Sequence, residues 1–175
     1  MTISQDALLV THASLRFNLD PTESLSDMTL LDVLGRVRLM DHFSNQGAES
    51  REAVASKSRY GPEVLEKPLS ALPALSVGQG QLLALARALL QIHHIDTSGA
   101  RPIVLLDEAT SSLDVETEEL ILGIVHSELT LRGYTVMMVA HRLKAAAANM
   151  RDEDLAIRMQ DCKIVKVGTK TDLLS

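Results

Sequence analysis

Two short apolar runs separated by one amphipathic helix constrain this chain more than any other feature. Residues 103–106 read Ile-Val-Leu-Leu, and residues 135–140 read Thr-Val-Met-Met-Val-Ala. Between them, residues 115–131 carry Ile121, Ile124, Val125 and Leu129 on one stripe at helical spacing. A strand, a helix and a second strand with a crossover of this length predict parallel neighbours in one sheet, and so an α/β domain. Continuous β-branched and Leu runs are the pattern of strands covered on both faces. On that basis Met137 and Met138 are strand core.

The rest of the chain is consistent with one such domain. Residues 1–9 read as the end of a strand and a loop. Residues 26–40 read as a helix capped by Ser26 or Asp27, with Leu30, Leu34 and Val37 along one face. Residues 42–67 are polar and irregular, with one short helix before Gly61-Pro62. Pro68 and Pro73 mark an extended connector. Residues 77–91 form a helix that is apolar nearly all round, hence buried. Residues 155–159 and 164–167 flank a turn near Asp161 and read as a terminal hairpin.

Composition narrows the partners. Aromatic residues are 2% of the 175, so the core is aliphatic and base stacking is excluded as the main grip. A net charge of -6 argues against nucleic acid, whose phosphates call for clustered Lys and Arg. The single cysteine, Cys162, excludes an internal disulfide and fits a reducing compartment. No apolar run approaches the roughly 18–20 residues of a membrane span. No basic stretch followed by an apolar core marks a signal peptide.

Chemistry concentrates at two places. The strand at 103–106 leads directly into Asp107 and Glu108, at the carboxyl end where α/β sheets bind ligands. Asp107 can hold Mg²⁺, usually through water, and Glu108 can orient and deprotonate a water that attacks a γ-phosphate. Taken alone, the pair also reads as surface acids at a strand end. The second place is Leu75-Ser76-Val77-Gly78-Gln79, immediately before the long helix. Ser76 offers a hydroxyl, Gly78 allows close backbone approach, and the helix start adds positive dipole, which together make a phosphate clamp without a lysine. Taken alone, it is a Ser cap and a turn glycine. His93 and His94 lack carboxylate or thiolate partners at ligand spacing.

Together these segments resemble the nucleotide-binding domain of ATP-binding-cassette (ABC) transporters. Residues 75–79 look like the signature motif, 103–108 like the Walker B strand, and 109–114 (Ala-Thr-Ser-Ser-Leu-Asp) like the D-loop. His141 looks like the switch histidine and Gln5 like the Q-loop glutamine. All five stand in the family's order. The segment Leu15-Arg16-Phe17-Asn18-Leu19-Asp20-Pro21, with Val77 and Glu108, is similar to the second such domain of C-subfamily, multidrug-resistance-associated exporters.

The resemblance implies an incomplete P-loop NTPase fold, a parallel sheet plus a helical subdomain. Residues 1–9 would be the Q-loop region, 10–74 the helical subdomain, and 75–175 the remaining core. It implies ATP and Mg²⁺ as cofactors and a head-to-tail dimer with a second nucleotide-binding domain. It also implies coupling to the transmembrane domains of a parent exporter, at the cytoplasmic face of a membrane. Ser76, Gly78 and Gln79 would contact ATP held by the partner domain. Glu108 and His141 would serve catalysis, Asp107 and Gln5 the metal, and Asp114 the bridge to the partner. A phosphate-binding loop needs Gly, four residues, then Gly-Lys-Ser/Thr, and no such run occurs in the 175 residues. Gly168-Thr169-Lys170-Thr171 lacks the second glycine and reads as a surface turn. The expectation is therefore a domain portion that is inactive alone, with apolar sheet faces left uncovered. The alternative is a non-catalytic module offering its signature motif in trans to a complete domain.

Overall fold

In the computed structural model, which describes residues 1–4, 6–44, 61–96 and 101–174, helices and strands alternate around a small parallel sheet. Strand β1 (Thr2–Ser4) pairs with β2 (Ile103–Asp107), and β2 pairs with β3 (Thr135–Val139), all parallel, in the order β1-β2-β3. The α/β expectation holds. Register sets one face: Ile3 lies beside Leu106, Val104 beside Val136, and Leu106 beside Met138. These side chains join the apolar core with leucines from the long helices.

The opposite face departs from expectation. Ile103, Met137 and Val139 are 57%, 60% and 46% exposed. The apolar runs predict strands covered on both faces, with Met137 in the core. Instead, only one face is packed, and Met137 looks outward because alternate residues of a strand point oppositely. The uncovered face itself matches the expectation of exposed apolar sheet surface.

The region before β2 is helical. It contains α1 (Leu15–Leu19), α2 (Asp27–Arg36), α3 (Met40–Ser44), α4 (Glu63–Glu66) and a 3-10 turn at Leu69–Ala71. Leu15, Leu19, Leu30, Leu34, Leu39 and Leu65 are fully buried, so aliphatic packing supplies the core that aromatics do not. Ser26 caps α2 by accepting from the Thr29 N–H. The helix ends at Arg36, short of the expected residue 40, because Arg38 turns to φ +59 before α3 begins. Residues 45–60, where a short helix was placed, lie outside the described residues.

Helix α5 (Val77–Asp96) runs five residues past its expected end, and apolar side chains from Leu82 to Ile92 bury most of its surface. Arg87 on α5 donates to the carbonyls of Asn18 and Leu8, at 2.7 and 2.9 Å, locking α5 to the helical region. Helix α6 (Val115–Val125) continues as a π-helical turn at His126–Thr130. Ile121, Ile124, Val125 and Leu129 are buried, as the stripe predicted. After β3 come α7 (Leu143–Ala148), the antiparallel hairpin β4 (Ala156–Gln160) and β5 (Lys163–Gly168), and α8 (Lys170–Leu174). The hairpin turn places Asp161 and Cys162 at φ +48 and +59, the two left-handed positions of a tight turn that favours glycine second.

Candidate functional site

Adjacent parallel strands end side by side, and their carboxyl ends carry the acids and the histidine. Asp107 pairs in register with Val139, two residues before His141. Glu108 follows at φ +50, a left-handed backbone that non-glycine residues seldom adopt. The Ser111 N–H and hydroxyl both donate to the Glu108 carbonyl, at 3.0 and 2.9 Å, holding that turn. The conformation aims Glu108 at the neighbouring strand. His141 Nε2 lies 2.8 Å from Glu108 Oε1. The carboxylate can only accept, so Nε2 carries the proton. Residues 33 apart in sequence are thus in direct contact. Asp107 remains exposed at the strand end.

A second cluster lies at the start of α5. Ser76 and Gln79 form a reciprocal cap. The Gln79 N–H donates to Ser76 Oγ at 3.2 Å, and the Ser76 N–H donates to Gln79 Oε1 at 2.8 Å. Two helix-end N–H groups are satisfied by the Ser-x-x-Gln spacing. Gly78 is buried against α6, where a Cβ would lie 2.6 Å from Thr117 Cγ2. A larger residue there would have to displace the Thr117 side chain. Asp114 caps α6, accepting from the Thr117 N–H at 2.9 Å and hydroxyl at 2.8 Å. Those bonds hold its carboxyl below the ordinary carboxylate range.

The loop between β2 and α6 is anchored by a residue that sequence reasoning missed. Glu118 on α6 is 3% exposed. It accepts from Thr110 Oγ1 at 2.9 Å and from Arg142 Nη1 at 3.1 Å, and Arg142 also donates to the Leu113 carbonyl at 2.7 Å. The loop at 109–114 is thereby tied to the residue next to His141. Nothing in the local pattern marks Glu118 as internal: it stands among the acids of a helix's first turns, where acids ordinarily face water. His42, which bonds Gln79, lay in a stretch that looked merely polar.

No protein-family model matches the chain. Individual curated proteins do. An ABC-type transporter of Gibberella zeae is 31% identical over 173 residues, 99% of this chain and 10% of that protein. ABC transporter C family member 13 of rice is 35% identical over 173 residues, 98% of this chain and 10% of its own length. The ATP-dependent bile acid permease of Saccharomyces cerevisiae is 33% identical over 150 residues, 82% of this chain and 8% of that protein. This chain belongs to the ABC transporter family. It spans about a tenth of the length of the curated relatives it matches.

Within this ABC-family chain the structure brings Glu108 and His141 together with Asp107 beside them. It gathers Ser76, Gly78 and Gln79 at one helix start, against the turn that Asp114 caps. Gln5 lies outside the described residues. Among the described residues no three His, Cys, Asp or Glu side chains converge to hold a metal. No helix among them is long and apolar enough to cross a membrane.

Proposed function

We propose that this chain is the later portion of the second ATPase domain of a C-subfamily ABC exporter, and that it has a P-loop NTPase core. One observation carries the reading most directly: Glu108 and His141 touch at the ends of adjacent parallel strands. Glu108 is then the general base. Its carboxylate takes the proton of an attacking water, and His141, whose Nε2–H bonds that carboxylate, would turn the same donor toward the charge that develops on the transferred phosphate. Ser76 and the backbone of Gly78 cap the phosphates of ATP held by a partner domain. Asp114 contributes to the same dimer face.

The donor set fits the cofactors. The start of a 20-residue helix offers N–H groups and positive dipole to phosphate oxygens. Asp107 offers one exposed carboxylate, the modest protein share that Mg²⁺ takes when phosphates and water supply the remaining ligands. When bound, Mg²⁺ draws charge from the phosphate oxygens. On this reading the chain works at the cytoplasmic face of a membrane, beside transmembrane domains of its parent.

The absence of a Gly-Lys-Ser/Thr phosphate loop from these 175 residues favours a second reading for the chain by itself, a non-catalytic module that lends its signature motif in trans. Several charge-assisted hydrogen bonds would be lacking, each worth about 1.5–3 kcal/mol. Magnesium-dependent ATP turnover by the chain alone is therefore expected to be undetectable. Turnover that Glu108→Gln abolishes would overturn this. Mixed with a complete ABC nucleotide-binding domain, the chain is expected to associate in the presence of ATP, and Ser76→Arg to lose that association. Association that is insensitive to both nucleotide and Ser76→Arg would count against both readings.

A further inference from the structure

We propose that His42 is a positioning residue for the Ser76–Gln79 turn, and that it holds the turn only while its imidazole is neutral. His42 sits on α3, 37 residues before Gln79. Gln79 Nε2 lies 2.9 Å from His42 Nδ1, and His42 Nε2 lies 3.3 Å from the Pro73 carbonyl. The polarity of this chain of bonds is forced. The Ser76 N–H can only donate, so the Gln79 atom it meets is the carbonyl oxygen. The amide nitrogen of Gln79 therefore faces His42 and donates to it, and Nδ1 must be the unprotonated nitrogen. Nε2 faces a carbonyl and must carry the proton. One neutral tautomer satisfies both of these partners.

Protonation breaks the arrangement whichever way Gln79 responds. With a proton on Nδ1, two donors meet across 2.9 Å. If the Gln79 amide flips to offer its oxygen, its nitrogen then faces the Ser76 N–H, and the donor conflict moves to the cap. Either the contact with α3 or the reciprocal cap is lost. Histidine is the side chain that gains a charge on mild acidification, so pH is the variable that tests the latch.

Among the described residues no carboxylate pairs with the His42 ring. Its face packs edge-on against Phe43, with centroids 5.5 Å apart. Asp41, its neighbour on α3, is exposed. On α2, which packs against α3, Asp27 pairs with Arg16, and Arg36 pairs with Asp32 and Glu128. On α5, Arg87 is taken up by the carbonyls of Asn18 and Leu8. The consequence for nucleotide capping, a signature turn that loosens in acid, rests on the proposed trans role of Ser76. The latch itself does not.

The test is amide hydrogen exchange on the full 175-residue chain without nucleotide, read by mass spectrometry at low protein concentration and corrected for intrinsic pH dependence. Protection of the peptide covering residues 75–80 is expected to fall about 2–10-fold, relative to 82–92, between about pH 7.5 and about pH 5.5, the worth of one net hydrogen bond. His42→Gln, which offers a donor and an acceptor but does not titrate, is expected to remove that pH step. His42→Leu is expected to leave 75–80 weakly protected at both values. Unchanged protection in the unaltered chain, or an equal pH step in His42→Gln, would overturn the proposal. Because no nucleotide is present, either result stands apart from the association experiment that tests the capping role.

Discussion

Replacing Gly78 by alanine isolates the contact between the starts of α5 and α6. In a helix, alanine is favoured over glycine by up to about 1 kcal/mol, so propensity alone predicts a gain. The contact predicts the reverse. The new Cβ would stand 2.6 Å from Thr117 Cγ2 and 3.4 Å from both Cβ and Oγ1 of that residue. Thr117 cannot simply rotate away, because its hydroxyl donates to Asp114 Oδ2 at 2.8 Å and its N–H donates to Oδ1 at 2.9 Å. Overpacking of this kind costs about 1–3 kcal/mol, which outweighs the propensity gain at most of its range. The net expectation for Gly78→Ala is a loss of about 0.5–2 kcal/mol. Gly80, one half-turn on, is the internal control. A Cβ there would meet Ala7 Cβ at 3.6 Å and Leu9 Cδ1 at 3.9 Å, ordinary contact distances. Gly80→Ala is therefore expected to gain about 0.5–1 kcal/mol. Adding Thr117→Ser to Gly78→Ala removes the offending methyl and keeps the hydroxyl, and should recover most of the loss, a coupling of about 1 kcal/mol. Urea midpoints of these three variants, of Thr117→Ser and of the unaltered chain decide it. A Gly78→Ala chain stabilised like Gly80→Ala, or undiminished damage in the double variant, would refute the packing argument.

Other outcomes follow from single contacts. Burial raises the Asp20 carboxyl, but hydrogen bonds from Thr22, Leu25 and Ser24 outweigh it and hold the group below the ordinary carboxylate range. Its stabilisation is thus complete above the unfolded carboxyl value, about 3.9, and is lost as pH falls through the lower folded value. Asp20→Asn should cost about 1–3 kcal/mol at neutral pH, with the difference from the unaltered chain vanishing in acid, as urea midpoints across pH would show. Arg142→Ala should destabilise by about 1–3 kcal/mol, because the buried Glu118 carboxylate loses its cation; a thermal melt unchanged within error would count against that. Cys162→Gly should stabilise by about 0.5–1 kcal/mol, since the turn holds φ +59 there, and equal melting of the two chains would deny that strain.

The parts of the fold legible in sequence were those where one local signal sufficed. The stripe from Ile121 to Leu129 predicted the buried face of α6, because helical periodicity is a property of neighbouring residues alone. Ser26 as a cap and the turn at Asp161 were legible for the same reason. The reading of β2 and β3 as covered on both faces failed at Ile103, Met137 and Val139. An apolar run reports what a strand is suited to touch, and what stands on the other side is not encoded in the run. The site divides the same way. Asp107 and Glu108 at a strand's end, and Ser76 as a cap, could be found by position; the return bond to Gln79 could not. The contact between Glu108 and His141 needed the register of β2 on β3, which no single segment carries.

Glu118 shows why that register alone would not assemble the site. A carboxylate 3% exposed is costly unless its oxygens are satisfied, so its partners are held in place by the penalty of leaving it bare. One oxygen takes the Thr110 hydroxyl, two residues after Glu108; the other takes Arg142, the residue after His141. The two loops that carry the acid and the histidine are therefore anchored to one point on α6. That helix is also the one whose first turn packs on Gly78 and is capped by Asp114. A shift of α6 along its axis would move all three loops at once. Side chains at the strand ends could not take up such a shift independently, because Arg142 also holds the Leu113 carbonyl at 2.7 Å. Glu118→Gln is the direct probe. It keeps the shape and a bond to Thr110, removes the charge facing Arg142, and should loosen residues 109–114 and 140–143 together in hydrogen exchange. Loosening of one loop without the other would mean that Glu118 is not their common anchor.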